Sequence, residues 1–400
     1  MRRTWLTAKL VPPLVAVVLA LAIALPAVGA WSAARILDGS GGAKGRLAAP
    51  VGPDSAAVRY GGRKHVFYSM RLADGSVLRH GSLGATSRFE TLDGLGGTSG
   101  RTANDVGTDV SATVYGDAIH VFYRDDTVGD LRHASFDGAT WRFQTLDGGS
   151  TVDGRVNADV GHRSVAVRYA GALEVFYLLP ADAEVRRGTF DGTEWSFSTL
   201  DGDVWAGGHT RHRVGYNLQA DVWGGSLHVL YYERDPAYGE LLGWVRDATL
   251  EGETWRYRRA FRVNSISPGK TLALGVVSDA EAYVAYNTTI QGSPRLRWGA
   301  WNGTAWTDGG VLLVSDFGDV AAPALFVVAH GVPILAWYDG YTGPAVIFTW
   351  SGETVTETYL DLFADPTSAV KVGTGVRIFW SGSDPSGCCD HSLLLQTTGP

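Results

Sequence analysis

A chain of 400 residues with 34 Lys and Arg against 41 Asp and Glu carries a formal net charge of −7, so it offers no basic surface to a phosphate backbone and a nucleic-acid partner is excluded. A charged fraction of 19% and 52 glycines without a collagen-like period exclude a disordered or fibrous chain and suit a β-protein with many tight turns. The two cysteines are adjacent, Cys388 and Cys389, so no disulfide framework supports the fold and a large core must.

Residues 1–30 read as an export leader. Arg2, Arg3 and Lys9 form a basic start, an apolar run extends from Leu10 to Ala27, and small residues follow at Val28, Gly29 and Ala30, with cleavage expected before Trp31. Arg2-Arg3 leaves a twin-arginine signal open beside an ordinary one, and an uncleaved membrane anchor is the alternative to secretion. Pro12 and Pro13 interrupt the run, which argues against a span. Without those three cations, 31 basic residues face 41 acidic ones, a formal charge of −10. The expected mature chain, 31–400, is one domain with no stable membrane insertion.

One unit then recurs along the chain. His65-Val66-Phe67-Tyr68, His120-Val121-Phe122-Tyr123, Glu174-Val175-Phe176-Tyr177 and His228-Val229-Leu230-Tyr231 superimpose, and weaker copies stand at Tyr283-Val284-Ala285-Tyr286, Ile334-Leu335-Ala336-Trp337 and Arg377-Ile378-Phe379-Trp380. The second copy shows four short strands, Val110 to Tyr115, Ala118 to Tyr123, Leu131 to Phe136 and Trp141 to Leu146. Gly116-Asp117 and Asp137-Gly138 supply the positive φ of tight hairpin turns. Seven units of four antiparallel strands predict an all-β, seven-bladed propeller. The last unit lacks a fourth strand, while Ala34 to Gly39 matches the fourth strands ending at Asp93-Gly94, Asp147-Gly148 and Asp201-Gly202, so the N-terminal strand is expected to complete the last blade.

Period-two alternation puts Val66 and Tyr68 on one face of the second strand and His65 and Phe67 on the other, both apolar-rich as sheets between neighbours require. Trp141, Trp195, Trp255 and Trp306 read as packing residues by the same argument. The acids Asp54, Asp105, Asp109, Asp159, Asp221 and Asp319 stand near the starts of innermost strands, where a hydrolase would place a carboxylate pair, although Asp also serves turns and caps. The histidines are spread one per blade at His65, His120 and His228, and no metal, cofactor or nucleophile constellation is expected.

The third strands repeat an arginine, Arg79, Arg132, Arg186, Arg246 and Arg297, with Tyr68, Tyr123 and Tyr177 on the neighbouring strand. A guanidinium there either ties blades together through carbonyls and acids, or lines equivalent pockets in which forked donors meet sugar hydroxyls and an aromatic face meets the ring. Cys388-Cys389 would be oxidised after export, either as a vicinal ring or across to a second chain.

Ile119-His120-Val121-Phe122-Tyr123, Asp130 to Gly138 and Thr140 to Gly148 make a unit that resembles the repeats of bacterial secreted propellers similar to the fungal fucose-specific lectin family. The resemblance spans 31–400 and is strongest over 60–257. It implies fucose or other sugars bound between blades by an arginine, a carboxylate or amide, and an aromatic, with Arg79, Arg132, Arg186, Arg246 and Arg297 as the arginines. No repeated glutamate stands at a partner position here. The expected function is a secreted, non-enzymatic, lectin-like propeller with glycans or a cell-surface ligand as partners. The alternatives are an exported glycoside hydrolase or sialidase-like enzyme at the channel, or a protein-binding scaffold. A lectin should repeat one polar set in several blades, whereas an enzyme needs one unrepeated acid pair.

Overall fold

The computed structural model describes residues 31–399 apart from 182, 236–241, 265–270, 291–292, 315–323, 339–343, 352–353, 374 and 383–392. The leader, Asp319 and the Cys388-Cys389 pair therefore lie outside the described residues. Seven four-stranded antiparallel sheets form the ring, and the expected propeller is the one observed. Blade one runs Val51–Tyr60, Arg63–Leu72, Gly75–Leu83 and Arg88–Asp93; blade two runs Val106–Tyr115, Ala118–Asp125, Asp130–Phe136 and Trp141–Asp147. Blades three to six span residues 162–201, 213–263, 272–314 and 324–359 in the same order of strands. Among the described residues, no helix is long and apolar enough to cross a membrane.

Blade seven takes its outer strand from the start of the chain. Arg35–Asp38 pairs antiparallel with Leu393–Thr398, with Arg35 opposite Gln396 and Ile36 opposite Leu395. The two ends thus satisfy each other's backbone groups, and the C-terminal strand Leu393–Thr398 is paired on both sides.

The core is divided among the seven seams between blades. Val66, Tyr68 and Met70 pack against Phe379 and Leu394 of blade seven, while Phe67, on the other face of the same strand, packs against Val121 and Tyr123 of blade two. Alternation therefore sends successive side chains to two different seams. The repeated tryptophans also cross seams. Trp141 meets Phe67 and His80 edge-on, Trp195 does the same with Phe122 and His133, and Trp255 meets Phe176.

The innermost strands carry bulges, with register shifts between Val51 and Ser55, Thr108 and Ser111, His162 and Val165, Gly215 and Leu218, and Pro366 and Ser368. Bulge residues Asp109 and Arg163 adopt φ of 50° and 52°, a conformation costly to a side-chain-bearing residue. These bulges let the strand of blade two start at Val106, ahead of the Val110 that alternation alone suggests. In these five blades they bring Asp54, Asp109, Arg163, Asn217 and Pro366 to one cavity.

Candidate functional site

The repeated arginines divide into two groups. Arg132 is buried and donates through Nε to Asp93 Oδ2 at 3.1 Å, through Nη1 to Thr145 Oγ1 at 3.2 Å and through Nη2 to the Gly100 carbonyl at 2.6 Å. Tyr123 donates to the same Asp93 oxygen at 2.6 Å, while Asp93 Oδ1 accepts the backbone N–H of Gly94 and of Thr102. The acid comes from blade one and the arginine and tyrosine from blade two, so the trio is a tie across the seam. Arg79 and Tyr68 make the same tie to Asp38, Arg186 and Tyr177 to Asp147, and Arg246 and Tyr231 to Asp201. Burial, reinforced by the facing carboxylate, holds the hydroxyls of Tyr68, Tyr123 and Tyr177 well above their ordinary pKa, so they remain donors. Of the two roles the sequence allows these residues, the structure displays the tie between blades. Tyr68, Tyr123 and Tyr177 are fully enclosed and present no face to a ligand.

Arg297 differs. It stands opposite Tyr286 as Arg246 stands opposite Tyr231, but the register of blade four places Phe261 where Asp201 stands in blade three. With Phe261 at the position of the acid, Arg297 turns to Asp308 of its own blade and to the hydroxyl of Tyr286, which burial pushes up to about 12. A cleft of about 360 Å³ opens there, lined by Phe261, Arg262, Tyr286, Arg297, Trp306 and Asp308 among others. Phe261 stacks on Tyr286 at 4.8 Å, and Trp306 is fixed by donation from Nε1 to Asp247 at 2.9 Å. The Asp308 side chain is 48% exposed, so the ion pair faces the cleft mouth.

A second unrepeated group surrounds Glu233, which sequence reasoning overlooked. This fully buried carboxylate accepts from His212, Arg246 and both Nε and Nη2 of Arg259, and these guanidinia outweigh its burial to hold it down to about 2. Its acceptors are saturated within the protein. The signal was present as a departure from the repeat, because Arg259 replaces the threonine of Thr91, Thr145 and Thr199.

The channel holds a third. Equivalent bulge positions carry Asp54, Asp109, Arg163, Asn217 and Pro366, which with their neighbours line a cavity of about 300 Å³. Burial and Asp109 push Asp54 up, and burial and Asp54 push Asp365 up to about 6. Asp109 is held down against its burial by His162, 3.5 Å away, and by Arg163. Of the other expected acids, Asp105 accepts the Ser76 N–H, Asp159 binds Arg124 and His162, and Asp221 accepts the Val222 N–H. Among the described residues, no three His, Cys, Asp or Glu are grouped to hold a metal ion.

No protein-family model matches the chain, and no curated protein matches it in sequence. Its structure is similar to that of the polysaccharide lyase Uly1, at 12% identity over 89% of this chain and 90% of that one, with a TM-score of 0.50. It is also similar to the α-L-arabinofuranosidase Arb93A of Fusarium graminearum (12% identity, 72% and 91% covered, TM-score 0.47) and to the fucose-specific lectin of Aleuria aurantia (16% identity, 71% and 93% covered, TM-score 0.44). At these identities the likeness is one of fold.

Proposed function

We propose that this protein is a secreted carbohydrate-binding propeller that takes a saccharide, without turning it over, in the cleft between blades four and five. The observation that carries the reading is the missing acid at that seam. Arg297 keeps its fork but turns it to a half-exposed carboxylate beside the partly exposed Trp306, so donors, an acceptor and aromatic carbon share one opening. Sugar hydroxyls pair with such a guanidinium–carboxylate couple, and the C–H face of a pyranose packs on an aromatic.

The test is calorimetric titration with a panel of neutral saccharides. Arg297→Gln and Asp308→Asn should each weaken binding tenfold or more at unchanged melting temperature, whereas Arg132→Ala should lower the melting temperature. Equal affinity in the wild type and both cleft variants would sink this assignment. Export is tested by sequencing the N-terminus of the protein recovered outside the cell, where Trp31 is expected first.

A second reading rests on the channel. Two carboxyls displaced upward, Asp54 and Asp365, beside one held down, Asp109, give the divided acid and base that glycoside hydrolysis uses. If the protein releases reducing sugar, Asp365→Asn should abolish that release.

A further inference from the structure

We infer that the seam where the ring closes, between blades seven and one, is a binding site for a sulfated saccharide. A cleft of about 380 Å³ lies there, lined by Arg35, Lys64, Ser87, Arg377, Gln396 and Thr398 among others. The register explains the convergence. Arg35 stands opposite Gln396 and Arg377 opposite Thr398, so these four side chains share the face of blade seven turned toward blade one, from which Lys64 meets them. Leu37, farther along the same face, and Leu83 of blade one supply apolar lining.

None of the residues lining the cleft is acidic. Desolvation, and after it the charges of two further cations, Arg377 and Arg59, lower the pKa of Lys64. Convergence of three cations in a chain of net charge −7 costs electrostatic free energy that an anion would recover. Elsewhere on this ring, arginines at seams meet carboxylates, as Arg79, Arg132, Arg186 and Arg246 do. The volume falls in the range of about 300–1,000 Å³ usual for small-molecule sites, large for a lone oxyanion and suited to a sugar that carries one. The hydroxyl of Ser87 and the amide of Gln396 supply neutral partners for such a ring. The sulfate group would bridge Lys64 and Arg377, which places the ligand across the two blades that the chain ends hold together.

The inference is independent of the cleft between blades four and five. The test is calorimetric titration of the protein, in chloride buffer, with a sulfated tetrasaccharide, its desulfated counterpart and sodium sulfate. Preferential binding of the sulfated tetrasaccharide is expected, weakened tenfold or more in Lys64→Gln/Arg377→Gln and in Arg35→Gln. Arg35 is exposed, so its replacement keeps the test informative if the double variant fails to fold. Equal affinity for the sulfated and desulfated tetrasaccharides, or binding that survives all three replacements, would overturn the proposal. Binding of sodium sulfate with rejection of the tetrasaccharide would overturn the saccharide and leave a free oxyanion site.

Discussion

Each of Asp38, Asp93, Asp147 and Asp201 is buried and receives two backbone N–H groups on one oxygen and a tyrosine and an arginine on the other. Removing Asp93 leaves the buried Arg132 guanidinium without its counter-charge and the Tyr123 hydroxyl and Thr102 amide without their acceptor, so Asp93→Ala should cost about 3–5 kcal/mol in chemical denaturation, the range for a broken buried pair. The arginine and the tyrosine of this tie were legible because they recur. Their acid was not, because it sits in a Leu-Asp-Gly segment that reads as a turn and belongs to the preceding unit. Another residue-scale feature is acid-sensitive. His65 and His80 stack and share a hydrogen bond at 2.9 Å, as do His120 and His133, and burial pushes His65 down to about 4 and His133 to about 3. A folded-state pKa below the unfolded value of about 6.5 favours the neutral ring, so this stability is complete above pH 6.5 and is lost as pH falls toward 4 and then 3. Melting curves from pH 7 to 4 should show the decline. Blade three holds Glu174 and Arg187 in the same two places, so His120→Glu/His133→Arg should lessen it, leaving the share of His65 and His80.

Glycines act at the scale of the connecting elements. Gly100, at φ +84°, brings the linker against the next outer strand, where an added Cβ would stand 2.1 Å from the Phe143 carbonyl oxygen. The following Arg101 lies over the Phe143 ring at 5.2 Å, and Arg46 and Arg155 repeat that contact. Gly116, in the first hairpin turn, has a positive φ but open space around it. Gly116→Ala should therefore cost about 1 kcal/mol through backbone preference alone, and Gly100→Ala appreciably more, since linker and strand must separate. Equal losses in denaturant titrations would reject that distinction. The Gly-Arg pairs and hairpin dipeptides were plain in the sequence. The bulges were not, because positive φ at Asp109 and Arg163 is imposed by the ring and has no glycine to announce it.

At the scale of the molecule, strand counting and the orphan Ala34 to Gly39 segment sufficed to read the ring and its closure, since both follow from pattern within the chain. The clefts required knowledge of which faces meet across a seam. Closure itself is testable. Deleting residues 31–40 removes the outer strand of blade seven together with Asp38, the partner of Arg79 and Tyr68, and should abolish cooperative unfolding. The ties, however, are not spread evenly. Four consecutive seams, from seven–one to three–four, carry the Asp–Arg–Tyr trio, while the position of its tyrosine is held by Trp337 in blade six and Trp380 in blade seven, so those blades meet their predecessors through apolar contact. Seam four–five lies between the two regimes and retains the arginine and tyrosine without the acid. A propeller built this way has a preferred place to breathe. Native-state hydrogen exchange should find the lowest opening free energy in the strands flanking Phe261 and Arg297, and a ligand that fills the adjoining cleft would act as a clasp, slowing exchange there before anywhere else on the ring.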